Sequence, residues 1–206
     1  MCIEKAFESI LPYDGALLGE HVSLGENDGT TAVNDSAECL AKTVESEPQC
    51  GLSDTPSFST EDIEFMREAM RLAMEAEAID EVPVGALVVR NGEVISRAYN
   101  TREHSKCATH HAEILAIEEA CRVLGGWRLI GCTLYVTMEP CAMCAGAIIN
   151  ARIPRVVFGA PDLRFGAFGS LINLADVPLN HKPELLGGVL KNENVEMLRS
   201  YFKKKR

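Results

Sequence analysis

The spacing of apolar residues changes several times along this chain, and each change marks an element. From Ser59 onward, Ile63, Met66, Met70, Ala73 and Met74 recur at the three- and four-residue interval of one helical stripe, with Ser59 as a candidate N-cap and Asp62 three positions on. That helix must end before Pro83. Two segments, GALVVR at 85–90 and EVISRAY at 93–99, flank Asn91-Gly92, the dipeptide that most favours a two-residue hairpin turn. Helical spacing returns over about 109–124 and stops at Gly125-Gly126. A strand at 133–138, a helix at 140–150 and a strand at 155–158 follow. Two strands joined by one helix of that length imply a parallel pair with a right-handed crossover. A further strand near 185–190 and a last helix over 195–202 complete the order. The pattern predicts an α/β fold in three layers, α/β/α, around a mixed sheet of about five strands.

Before Ser59 the pattern fades. Leu, Ile, Val and Phe supply only 13 of the first 59 residues, close to the composition at which burial no longer offsets the entropy of ordering. Phe7, Ile10, Leu11, Leu17 and Leu18 suit at most a short helix, between stretches of turn chemistry such as 25–29 and 53–56. The expected organisation is a weakly ordered extension over 1–58 and one domain over 59–206. Over the whole chain, 47% apolar residues suffice to build a core.

Charge follows the same division. The net −10 is distributed as −9 over residues 1–59, −6 over 60–151 and +5 over 152–206. An acidic total argues against a nucleic-acid partner, but phosphate affinity follows the local patch, so the basic last quarter keeps such a partner in play. No run approaches the roughly 20 apolar residues of a membrane helix, and the N-terminus lacks a basic start followed by an apolar stretch. A cytoplasmic protein without membrane contact is expected. The eight cysteines should then be reduced, and metal binding is the leading use for any close pair.

One such pair is Cys141 and Cys144, in PCAMC at a helix start directly after a strand, with Pro140 suited to the first helical position. At i and i+3 both sulfurs face one way. The orphan N–H groups and positive end of a helix favour the thiolates that a metal requires. Two cysteines do not close a zinc site, and His110 or His111 at the start of the preceding helix can add a third ligand. Three protein ligands leave the fourth position to water, as in catalytic zinc sites. Glu113 then supplies the base that such a water needs. H-A-E followed by P-C-x-x-C is the signature of zinc nucleobase deaminases.

Beyond the signature, VPVGA at 82–86, Asn100 eleven residues before His111, PCAMCAGAI, RVVFGAPD at 155–162, GSLINL at 169–174, LNH at 179–181 and Tyr201-Phe202 before Lys203 resemble the bacterial tRNA adenosine deaminases. The likeness covers roughly residues 60–206. It implies a cytidine-deaminase-like fold, one Zn2+ per subunit, a homodimer, and conversion of the wobble adenosine in a tRNA anticodon loop to inosine. DNA is not an expected substrate. It also selects His111 over its helical neighbour His110, which points about 100° away. The resemblance implies zinc ligands His111, Cys141 and Cys144, the catalytic acid and base Glu113, and an adenosine contact at Asn100. Asp162 follows a strand at its C-terminal end, where open α/β sheets bind ligands, and is expected beside the RNA, although an Asx turn with Pro161 is the competing role. The extension has no counterpart in the family pattern.

The other features have plainer readings. Cys121 and Cys132 suit core packing, Cys107 is the only nearby candidate for a fourth metal ligand, and the Met66, Met70 and Met74 stripe suits the core. The alternative function is a zinc deaminase of free bases or nucleosides, of guanine or cytosine type, which shares the constellation without RNA contacts. Against it stand the basic quarter, with Arg152, Arg155, Arg164 and the 203–206 tail, and the likeness across the whole domain.

Overall fold

The computed structural model describes residues 58–205; the extension expected over 1–58 otherwise lies outside the described residues. The elements are α1 (Thr60–Ala78), β1 (Gly85–Arg90), β2 (Glu93–Tyr99), α2 (Arg102–Ser105), α3 (Ala112–Leu124), β3 (Cys132–Met138), α4 (Ala142–Asn150), β4 (Arg155–Ala160), β5 (Glu184–Gly187) and α5 (Lys191–Lys204). One five-stranded sheet has the order β2-β1-β3-β4-β5. β1 pairs antiparallel with β2 and with β3, whereas β3, β4 and β5 run parallel. The hairpin turn is made by Asn91 and Gly92 with φ of 53° and 78°, a left-handed pair that explains why this dipeptide joins β1 to β2.

Alternation along the central strands builds two cores. Ala86, Val88, Leu134, Val136, Val156 and Phe158 point to one face and pack with Ala112, Ala116, Ile117 and Ala120 of α3 and with Ala145 and Ile148 of α4. Leu87, Val89, Tyr135 and Val157 point to the other, against Met66, Ala69 and Leu72 of α1 and with Val189. Helices therefore cover both faces, and the α/β/α fold stands as expected.

Local details differ from the sequence expectation. The buried stripe of α1 runs through Met66, Ala69, Leu72, Ala73 and Ala76, so Met74, expected in the core, is 61% exposed. The small alanines face the sheet because α1 lies close to β1: a Cβ on Gly85 would fall 2.1 Å from the Ala69 carbonyl oxygen. Cys132 is buried as expected, but Cys121 is only partly so, with its thiol 3.8 Å from the Trp127 carbonyl. Both helices of the signature start later than expected. α3 is capped by His111 and α4 by Cys141, which puts Pro140 before the cap and not at the first helical position.

Candidate active site

β3 ends at Met138, and the chain then passes Glu139 and Pro140 before Cys141 caps α4. This brings the start of α4 beside the start of α3. Because His111 and Cys141 are both cap residues with extended backbone, their side chains leave their helices sideways and meet. His111 Nδ1 lies 3.7 Å from Cys141 Sγ and 3.6 Å from Cys144 Sγ, and the three ligand atoms fall within 4.8 Å of one another. Metal–sulfur bonds of about 2.3 Å and metal–nitrogen bonds of about 2.0 Å in a tetrahedron require ligand separations of roughly 3.5 to 3.8 Å. The donor set and its spacing thus fit zinc. His110 and Cys107 are outside this group. The His110 carbonyl instead accepts from Thr101 N at 3.2 Å, and the Cys107 thiol contacts the Thr109 hydroxyl at 3.4 Å.

The three groups share their protons. The Cys144 thiol hydrogen-bonds Cys141 and, with help from His111, outweighs burial to pull the Cys141 thiol down to about 4. That same contact, together with burial, pushes Cys144 up. The Cys141 thiolate likewise raises His111 against the effect of burial. Glu113, on the first turn of α3, is 4% exposed, and burial pushes its carboxyl up.

These residues border a cavity of about 310 Å³, lined also by Val82, Val84, Asn100, Arg102, Glu139, Asp162 and Phe165. All six residues singled out in the sequence therefore belong to one place: five line the cavity and Cys144 lies beneath Cys141, fully buried. Asn100 follows β2 and is held by Nδ2, which donates to Glu81 Oε2 at 3.1 Å and to the Val82 carbonyl at 3.4 Å. Asp162 Oδ1 accepts from Arg164 N at 2.9 Å and from Phe165 N at 3.2 Å, so the Asx turn is present and Asp162 borders the cavity as well.

Two buried carboxylates escaped the sequence reading. Glu81, 1% exposed, accepts from Asn100 and from His104 N. Glu139, 3% exposed, accepts from three backbone N–H groups and the Ser170 hydroxyl. Their partners are distant along the chain or belong to the backbone, so neither has a spacing that could have announced it. Phe165 is a third addition, 64% exposed at the cavity mouth.

The basic cluster is also rearranged by the fold. Arg155 pairs with Asp62, Arg152 donates to the Ile149 carbonyl and Asn180, Lys204 pairs with Glu77 and Lys205 with Asp80. Arg164, exposed beside the cavity, makes no ion pair among the described residues.

Residues 59–160 match the cytidine and deoxycytidylate deaminase zinc-binding region. A tRNA-specific adenosine deaminase of Bacillus subtilis is 49% identical over 148 residues, covering 71% of this chain and 92% of that protein. One from Aquifex aeolicus is 47% identical over 143 residues, 69% of this chain and 94% of its own length. Among solved structures, a tRNA:A34 deaminase studied for A-to-I editing at the wobble position matches with a TM-score of 0.64 and 43% identity, over 65% of this chain and 98% of that one. A guanine deaminase from Nitrosomonas europaea matches at a TM-score of 0.58 and 25% identity, over 69% and 84% of the two chains.

Proposed function

Since the chain belongs to the cytidine and deoxycytidylate deaminase zinc-binding family and, within it, to the tRNA-specific adenosine deaminases, we propose that it hydrolyses the wobble adenosine of a tRNA anticodon loop to inosine and ammonia. The observation that carries the reading is the juxtaposition at one cavity of a His-Cys-Cys group with zinc-ligand spacing and a buried glutamate.

His111, Cys141 and Cys144 hold the zinc, one per subunit. Zinc, when bound, supplies the Lewis acidity that makes water nucleophilic near neutral pH. Glu113 takes a proton from the attacking water and delivers it to N1 of the adenine as the oxygen adds to C6. It then passes the second proton to the exocyclic amine, so that the C6–N bond breaks and ammonia leaves. Burial favours its protonated form and suits a group that must both take and give. Glu139 cannot share this work, because its carboxylate is filled by four donors. Asn100, fixed by Glu81, faces the purine edge, and Asp162, which lines the same cavity, contacts the nucleotide.

Phe165 and Leu163, 64% and 76% exposed, favour an RNA loop over a free base. A free base needs only the cavity, whereas unstacked flanking nucleotides need an exposed apolar and aromatic surface to lie on. The adenosine must leave its stack to enter, which a single-stranded loop permits at low cost. We assign the working form as a homodimer in the cytoplasm; among the described residues no helix is long and apolar enough to cross a membrane. Incubation with total tRNA followed by nucleoside mass spectrometry tests the reading. Inosine at the wobble site, with free adenosine, guanine and cytosine unchanged, supports it. Ammonia released from a free base without inosine in tRNA overturns it.

A further inference from the structure

The segment from Asp162 to Ser170 leaves the end of β4, carries Asp162 and Phe165 to the cavity and returns beside Cys141. It contains no helix or strand of its own, so something outside it must set its shape. The Glu139 carboxylate lies in the middle. Its Oε2 accepts from Asp162 N at 3.1 Å and from the Ser170 hydroxyl, while Oε1 accepts from Phe168 N and Ser170 N, each at 3.0 Å. Both ends of the segment are therefore held by one side chain. The fit leaves no room: a Cβ on Gly166 would come within 2.5 Å of the Glu139 carboxyl carbon and of the Asp162 carbonyl oxygen. Neighbouring contacts join the same two strands of chain, since Ala167 N donates to the Pro140 carbonyl at 2.9 Å and Cys141 bridges to Gly166.

From this arrangement we infer that Glu139 is a positioning residue for substrate recognition: it shapes the 162–170 segment into the wall that receives the nucleotide, and it does so from the residue next but one to Cys141. The inference rests on the deaminase reading for its substrate, but the clamp is a property of this chain alone. A carboxylate is required. Four donors converge on its two oxygens, and charge-assisted bonds to backbone N–H groups are roughly twice as strong as neutral ones. An amide presents one oxygen and turns its own N–H groups on donors, so Glu139→Gln loses one of the two acceptor oxygens, and with it two of the four bonds, and sets donor against donor.

The test compares wild-type protein, Glu139→Gln and Ser170→Ala, each zinc-loaded, by metal content, amide hydrogen exchange and steady-state kinetics on an anticodon stem-loop. We expect Glu139→Gln to bind one zinc, to exchange the amides of Asp162, Phe168 and Ser170 at least about tenfold faster while those of α1 and β1 are unchanged, and to raise KM more than it lowers kcat. Ser170→Ala, which removes a single donor, should show the same pattern at a smaller amplitude. It decides the matter if Glu139→Gln yields no folded protein. Loss of zinc in Glu139→Gln, faster exchange spread over the whole domain, or wild-type exchange and KM in Ser170→Ala would each overturn the assignment. Wild-type protein inactive on tRNA would sink the deaminase reading and leave the exchange result to stand or fall separately.

Discussion

Asp62, on the first turn of α1, receives both terminal nitrogens of Arg155 on β4, with Nη1 2.8 Å from Oδ1 and Nη2 3.0 Å from Oδ2. The Tyr135 hydroxyl donates to the same carboxylate at 2.9 Å and the Ser59 hydroxyl at 2.7 Å. Ser59 also accepts from Asp62 N at 3.0 Å, so Ser59 caps α1 while the aspartate ties that helix to two strands.

The first prediction concerns pH and this aspartate. Burial alone would raise its pKa, but the bonds from Arg155, Ser59 and Tyr135 outweigh it and bring the group down to about 2 from an ordinary 3.8. A carboxylate with a depressed folded pKa contributes stability that is fully present above the unfolded value and is lost as pH falls through the folded one. Asp62→Asn should therefore lose about 2 kcal/mol at pH 7, with the gap to wild type closing between pH about 4 and about 2. Urea unfolding at both ends of that range measures it. An equal difference at both would show that packing, and not charge, explains the loss.

The second prediction separates proton transfer from metal binding. Glu113→Gln fits the same space and should keep zinc and fold, yet fall to below about a hundredth of the wild-type rate, since a positioned acid–base group contributes at least about 100-fold. His111→Ala and Cys141→Ser should lose zinc and with it stability, because the site forms only in the folded chain. Zinc content, melting temperature and single-turnover rate distinguish the two classes. Glu113→Gln retaining more than a tenth of the rate would remove Glu113 from the base role.

Much of this was legible in the sequence because it is carried by local spacing. The hairpin turn and the α1 cap each lie within a few residues and stand where expected, and the H-A-E and P-C-x-x-C segments do stand at helix starts, although each helix begins a few residues later than its spacing suggests. What the sequence hid depends on long-range approach. Ala69 faces the sheet and Met74 faces away because α1 packs close against Gly85, a fact that helical spacing alone does not contain. Glu139 reads as an ordinary acid until the 162–170 segment folds over it. The pairing of the basic quarter was hidden for the same reason, since Arg155, Lys204 and Lys205 meet acids from α1 or the residues just after it.

A third prediction follows from that redistribution of charge. Arg164 is exposed between Asp162 and Phe165, which line the cavity, and makes no ion pair among the described residues, so its guanidinium is available to a phosphate. Arg164→Gln should weaken tRNA binding and reduce the slope of log K against log salt by roughly 0.7 to 1, one phosphate contact's share. The double change Lys204→Gln and Lys205→Gln should move the slope less, because those ammonium groups already pair with Glu77 and Asp80 at 2.7 and 2.5 Å. Binding isotherms at three salt concentrations suffice. The opposite ranking would place the RNA backbone along α5.

The fourth prediction concerns the acidic extension. Phe58 packs against the core beneath α1, together with Ile63 and Leu186, so a truncation that preserves the domain must keep it and remove residues 1–57. Those residues carry a net charge of −9, while the His111, Cys141 and Cys144 group, Glu113, the described cavity lining and Arg164 lie in the remaining chain. By electrostatics alone the segment repels a phosphate backbone. The truncated protein should therefore keep the wild-type single-turnover rate and bind tRNA as tightly or more tightly at about 0.05 M salt, with the difference shrinking by about 0.2 M as the Debye length falls below about 10 Å. Affinity and rate measured for both proteins at both concentrations check this. If the truncated protein stays folded and zinc-loaded but loses more than a few fold in rate or affinity, the extension takes part in recognising the substrate, and its acidic charge is not a passive repulsion.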